Sequence, residues 1–166
     1  MKVTSLLATA GAVLSLSACS GSSGVIFPSR EPGSTPVPRR APVASMVAGL
    51  EPQPGHTARG STTLTPVQRD DNRPHTTAVV TLSGAPANAL LPWHVHTGAC
   101  GTNGPVVGVA ASYSNLVVTP EGNANLTITL PFGMPSDAPL YVNVHRSPSQ
   151  MNEIIACGAV ERNVMP

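Results

Sequence analysis

Short runs of alternating apolar and polar residues dominate the chain after about residue 59. In residues 125–130, for example, Leu126, Ile128 and Leu130 share one side, which is the period of a β-strand with one buried face. Clusters of Gly, Pro, Asn and Asp separate these runs, and no stretch after the N-terminal segment keeps a helical period over ten residues. The pattern predicts eight strands, over residues 60–65, 76–83, 92–97, 105–110, 114–119, 124–130, 140–146 and 155–160. Eight short strands with such breaks favour an all-β antiparallel sandwich or barrel.

The first eighteen residues have the pattern of an export signal. Lys2 precedes an apolar stretch over residues 6–16, which is shorter than the roughly 20 residues needed to cross a bilayer as a helix. The stretch ends in Leu16-Ser17-Ala18-Cys19, which resembles the lipobox of bacterial lipoproteins. We therefore predict a lipoprotein signal peptide over residues 1–18 and a lipid anchor on Cys19. The alternative is an ordinary signal peptide followed by a chance cysteine.

This N-terminus predicts a location in the bacterial cell envelope. Ser20, rather than Asp, follows Cys19 and favours the periplasmic face of the outer membrane in an organism that has one. Residues 19–57 are rich in Pro, Ser and Gly, a composition typical of a disordered linker. We assign residues 58–166 to one folded domain.

Charge and cysteine content narrow the functional classes. Charged residues make up 10% of the chain and the net charge is +1, which argues against a nucleic-acid partner. Of the three cysteines, Cys100 and Cys157 remain once Cys19 is lipidated. A pair of cysteines in an oxidising compartment predicts a disulfide bond, and the alternative is two free buried thiols.

Three histidines form the one constellation with evident chemistry. His94 and His96 alternate with Trp93 and Val95, so both imidazoles share one strand face. His145 ends the apolar run 140–145, again on the face opposite the aliphatic residues. This alternation places all three outside the hydrophobic core, on the surface or under a loop. Unless they are merely solvated, they form a candidate metal site with three nitrogen donors. Such a set favours copper over zinc, because structural zinc takes four protein ligands.

Three segments carry a resemblance to the copper/zinc superoxide dismutases. Trp93-His94-Val95-His96-Thr97-Gly98-Ala99-Cys100 is similar to the family segment in which two copper-binding histidines precede a disulfide cysteine. Residues 140–145 resemble a strand that ends in a further copper ligand, and Ile155-Ala156-Cys157-Gly158-Ala159-Val160 resembles the C-terminal strand. The resemblance implies an eight-stranded Greek-key sandwich, a Cys100–Cys157 bridge, and His94, His96 and His145 as copper ligands.

Two departures from that family limit the activity to be expected. The long loop that carries the bridging histidine and the zinc ligands is missing, so zinc is not expected. Ile154 stands where the family has an arginine that guides superoxide. The resemblance therefore implies copper binding with, at most, weak superoxide dismutation, and we assign no catalytic residue.

A second family competes with this interpretation. His94-Val95-His96 followed by residues 101–107 is also similar to the CHRD domain, a sandwich module without settled enzymatic chemistry. That family implies a non-catalytic binding or structural module of the cell envelope. The cysteine pair and Ala156-Cys157-Gly158 favour the dismutase-like alternative.

Overall fold

The computed structural model describes residues 45–162, which form an antiparallel β structure. The strands in this range are β1 (Met46–Pro52), β2 (Arg59–Gln68), β3 (Pro74–Ser83), β4 (Leu90–Leu91), β5 (Trp93–Thr97), β6 (Leu116–Val117), β7 (Ala124–Leu130), β8 (Leu140–His145) and β9 (Ile154–Arg162). The one helical element among these residues is a short 3-10 turn, Ala110–Ser112. Within the same range no helix has the length and apolarity that crossing a membrane requires.

Seven of the strands form one curled sheet in the order β5-β8-β9-β1-β2-β3-β7, and β4 pairs with β6 in a separate two-stranded sheet. All pairings are antiparallel. Several neighbours in the sheet, such as β5 and β8, lie far apart along the chain. The predicted all-β class is confirmed.

The core lies on one face of the curled sheet. In β3 every second residue from Thr76 to Leu82 is buried, and in β8 Leu140, Val142 and Val144 face the same interior. Trp93 is fully buried there, and its indole N–H donates a hydrogen bond to the Ser114 carbonyl at 2.9 Å. Because Trp93 faces the core, its strand neighbours His94 and His96 face the other way.

The strand β1 corrects the predicted linker. The linker predicted over residues 19–57 includes residues 46–52, but these form a strand between β2 and β9 in the sheet. Met46, Ala48 and Leu50 are buried, so every second residue of this strand faces the core. The prolines on either side made the segment resemble a linker in the sequence. The folded domain therefore begins before residue 58. The predicted signal peptide and Cys19 lie outside the described residues.

The predicted strand over residues 105–110 was wrong. This segment follows the free edge of β5 only briefly, through hydrogen bonds from Thr97 N–H to Pro105 O and from Val107 N–H to Val95 O. Gly108 then has φ +72°, which turns the chain away from β5. The predicted strand over residues 114–119 is shortened to β6. The remaining predicted strands are present with ends shifted by a few residues.

Candidate metal centre

Both faces of β5 and β8 are buried, which is unusual for strands near the edge of a sheet. One face packs on the core, and the other carries His94, His96 and Asn143, which are all at most 8% exposed. Two loops cover this second face: residues 98–106 after β5, and residues 146–153 after β8. The sequence placed the histidines on the surface or under a loop, and the structure shows the latter.

The register of β5 and β8 brings the three histidines together. His94 lies directly opposite Asn143, and His145 follows two residues later on the same strand. His94 Nδ1 and His145 Nε2 are 3.1 Å apart. One ring nitrogen of each histidine lies within 4.8 Å of the others, so the group can hold a metal ion.

Backbone carbonyls fix the tautomers of two of the rings. His96 Nδ1 lies 2.8 Å from Gly104 O, and His145 Nδ1 lies 2.5 Å from Met151 O. A carbonyl only accepts, so each Nδ1 carries the proton and donates it. The lone pair of each ring is therefore on Nε2. This arrangement is the usual one for histidines that bind metals, because the second nitrogen holds the ring in place.

One of these lone pairs has no partner. His96 Nε2 is buried and has no hydrogen-bond partner among residues 45–162. A buried polar atom without a partner costs about 1–3 kcal/mol. A cation between the three rings would give this nitrogen a partner, and the donor set of three imidazoles suits copper. The residues present can therefore hold a metal ion that imidazole ligands suit, copper among them.

The protonation states also favour metal binding. Burial, with smaller contributions from the neighbouring His145 and His96 rings, lowers the pKa of His94 to about 4. Burial also lowers the pKa of His145, although the hydrogen bond to the Met151 carbonyl acts in the opposite direction. Both rings are neutral at pH 7, the form that offers a lone pair to a metal.

Aromatic side chains hold the rings in position. Tyr141 stacks on His96 with ring centroids 5.0 Å apart, and its hydroxyl accepts a hydrogen bond from the Gly104 N–H at 2.9 Å. Tyr113 packs edge-on against His94 at 5.2 Å and donates a hydrogen bond to Val107 O at 2.8 Å. The histidines are thus packed against rings whose polar ends are already satisfied.

The loop after β5 is attached at several points. The sulfur atoms of Cys100 and Cys157 are 2.02 Å apart, a disulfide that joins this loop to β9. A side chain at Gly104 would place its Cβ 1.7 Å from Thr97 O, so only glycine fits. The disulfide and the close approach of Gly104 together position the carbonyl that holds His96.

Two other residues with potential chemistry, His75 and Arg146, lie away from the histidine group. His75 lies 2.8 Å from an Asp71 carboxylate oxygen and is not part of the histidine group. Arg146 lies 3.9 Å from Glu153 and lines a different pocket, next to His56. The roles of Tyr113, Gly104 and Met151 were not predicted, since two of them act through backbone atoms that no sequence motif marks.

Searches of protein-family models and of curated proteins find no match to this chain.

Proposed function

We propose that the chain is an exported lipoprotein whose β domain binds one copper ion through His94, His96 and His145. The observation that carries this proposal is the buried His96 Nε2, which lacks a partner among the described residues and faces two further imidazoles. Copper bound there would supply one-electron chemistry by cycling between Cu(II) and Cu(I). The chain's own part is to hold three imidazole nitrogen donors within 4.8 Å of one another in a buried site.

The proposal includes the superoxide-dismutase-like Greek-key arrangement. Two features support it: the order of the strands, in which sequence-distant strands such as β3 and β7 are neighbours, and the joining of Cys100 to Cys157. The first of these cysteines follows the histidine pair and the second lies on the last strand. That is the order on which the resemblance rests.

A titration of the purified chain with Cu(II) tests the proposal. We expect uptake of one equivalent, with nitrogen hyperfine structure in the electron paramagnetic resonance (EPR) spectrum. The control is a variant in which His94, His96 and His145 are all glutamine, which should take up no tightly bound copper. Equal uptake by both proteins would contradict the proposal.

The pocket beside the histidines is weakly suited to attract an anion. It has a volume of about 420 Å³, and its lining residues within 45–162 include no Lys, Arg, Asp or Glu. Ile154 lines it at the position where the resembling family has an arginine, and Arg146 points to another pocket. Electrostatic steering can raise an association rate by 10-fold or more, and the side chains that line this pocket provide no charge for it.

Superoxide dismutation by the copper-loaded chain is therefore expected to be slow and only weakly dependent on salt. A steady-state superoxide assay at two ionic strengths measures this, with His94→Gln as the control for free copper. Activity that is equal in the variant would show that free copper is responsible. A rate near the diffusion limit that falls steeply with salt would show that steering groups have been overlooked. The second candidate function, a non-catalytic CHRD-like module, is favoured if no copper-dependent activity is found.

The lipid anchor is proposed from the sequence alone. Two acyl chains or more give stable attachment to a membrane, so the mature chain should partition into detergent. Labelling with palmitate in a bacterial host should be lost in Cys19→Ser. Labelling that persists unchanged in this variant would refute the anchor.

A further inference from the structure

A second buried atom beside the histidines lacks a partner. Asn143 is 7% exposed, and its Oδ1 has no hydrogen-bond partner among the described residues. The side chain lies opposite His94 in the β5–β8 register and lines the same pocket as His96 and His145. Residues directly opposite in an antiparallel pair have side chains about 4.5–5.5 Å apart on the same face.

An asparagine at this position is unfavourable for the domain without a ligand. The neighbouring residues of β8, Val142 and Val144, are fully buried in the core. Asn143 is buried on the opposite face of the strand, where a side chain is expected to be either apolar or hydrogen-bonded. The neighbouring His96, Tyr141 and His145 side chains form hydrogen bonds with the backbone of Gly104 and Met151. None of these bonds involves Asn143 Oδ1. An amide oxygen has a lone pair that a cation can share, and copper sites accept a weak oxygen donor beside strong nitrogen ligands.

We infer that Asn143 Oδ1 is a fourth, neutral oxygen donor toward the copper ion held by the three histidines. This inference rests on the proposed function and goes beyond it, since it assigns a ligand that neither the histidine motif nor the resemblance contains. One cation would then provide a partner for both orphaned atoms, His96 Nε2 and Asn143 Oδ1. A hard oxygen donor stabilises Cu(II) more than Cu(I), so Asn143 would also set the preference for the oxidised ion.

Two substitutions of similar shape should act in opposite directions. Asn143→Leu should lower the Cu(II) affinity about 10-fold, the effect of losing one interaction with a charged group, and lower the Cu(I) affinity less. Asn143→Asp should raise the Cu(II) affinity, since a carboxylate is a stronger donor. Without copper, Asn143→Leu should melt no lower than the parent chain because it removes an unsatisfied buried oxygen, whereas Asn143→Asp should melt lower because it buries a charge.

The experiment measures Cu(II) and Cu(I) affinity by competition with chelators for the parent chain and both variants, after thermal melting of each copper-free protein. In addition, the parent chain is labelled with ¹³C at the asparagine side-chain carbonyls, and pulsed EPR should show a ¹³C coupling that Asn143→Leu abolishes. Asn103 and Asn152 line the same pocket, so the coupling should persist in Asn103→Ala and Asn152→Ala. Its persistence in both assigns it to Asn143 even if Asn143→Leu fails to fold. Copper uptake with no ¹³C coupling and unchanged affinities would overturn this inference alone. No copper uptake by the parent would overturn the proposed function and this inference together.

Discussion

Replacing His145 with glutamine is expected to lower the copper affinity of the chain by about 100-fold or more. Loss of a residue that merely orients a ligand already costs about 10- to 100-fold in metal affinity, and His145 would contribute a donor atom itself. Its Nε2 lies 3.1 Å from His94 Nδ1, so one ion can contact both nitrogens. Glutamine keeps a side-chain N–H for the Met151 carbonyl, which limits the damage to the loop over residues 146–153.

The chain contains its own controls for this experiment. His56 and His75 lie outside the histidine group, near Glu153 and Asp71 respectively, so His56→Gln and His75→Gln should retain the parent affinity. Competition with a chelator of known affinity measures all four proteins under identical conditions. Trp93, the one tryptophan of the chain, reports by its fluorescence that each variant is folded. An equal loss in His75→Gln would contradict the assignment of the site.

Removal of the disulfide is expected to lower the free energy of unfolding by about 4 kcal/mol. The bridge joins residues separated by 57 positions, and the loop-entropy model gives this value for a loop of that size. The change should be measured by urea denaturation of a Cys100→Ala, Cys157→Ala double variant, followed by Trp93 fluorescence. Because Cys100 lies in the loop that contains Gly104, the copper affinity of this variant should fall as well.

Reducing agent provides the matched control for the disulfide. It should destabilise the parent chain by a similar amount and leave the double variant unchanged. A Cys19→Ser variant should unfold like the parent, since Cys19 takes no part in the bridge. Two free thiols in the unreduced parent, detected by mass spectrometry, would contradict the bridge.

The histidine group was predictable because a strand has a simple period. Trp93 and Val95 mark the buried face of β5, and Val142 and Val144 mark that of β8, so the opposite faces followed directly. The cysteine pair was predictable from the count of cysteines together with the predicted export signal. What the period could not show was that both faces would be buried. That depends on two loops whose contacts are made by backbone atoms of Gly104 and Met151.

The errors in the predicted fold also have physical causes. Residues 46–52 lie in a proline-rich part of the sequence, which led to the prediction of a linker. The alternation of the buried residues Met46, Ala48 and Leu50 is too short to indicate a strand against that composition. The strand gains its stability from pairing with β2 and β9, which are distant in sequence. Residues 105–110 were predicted to form a strand because the run is apolar and rich in valine, but they do not form one. They pair only briefly with the edge of β5, and the positive φ of Gly108 then changes the direction of the chain.

Three nitrogen atoms, His94 Nδ1, His96 Nε2 and His145 Nε2, should surround the copper ion. Diffraction from crystals of the copper-loaded chain, recorded on both sides of the copper absorption edge, locates the ion without assumptions about its ligands. We expect one strong anomalous peak at about 2 Å from each of these nitrogens, the usual length of a metal–imidazole bond. A peak at His56 or at the His75–Asp71 pair, or no peak in crystals grown with stoichiometric copper, would contradict the assignment.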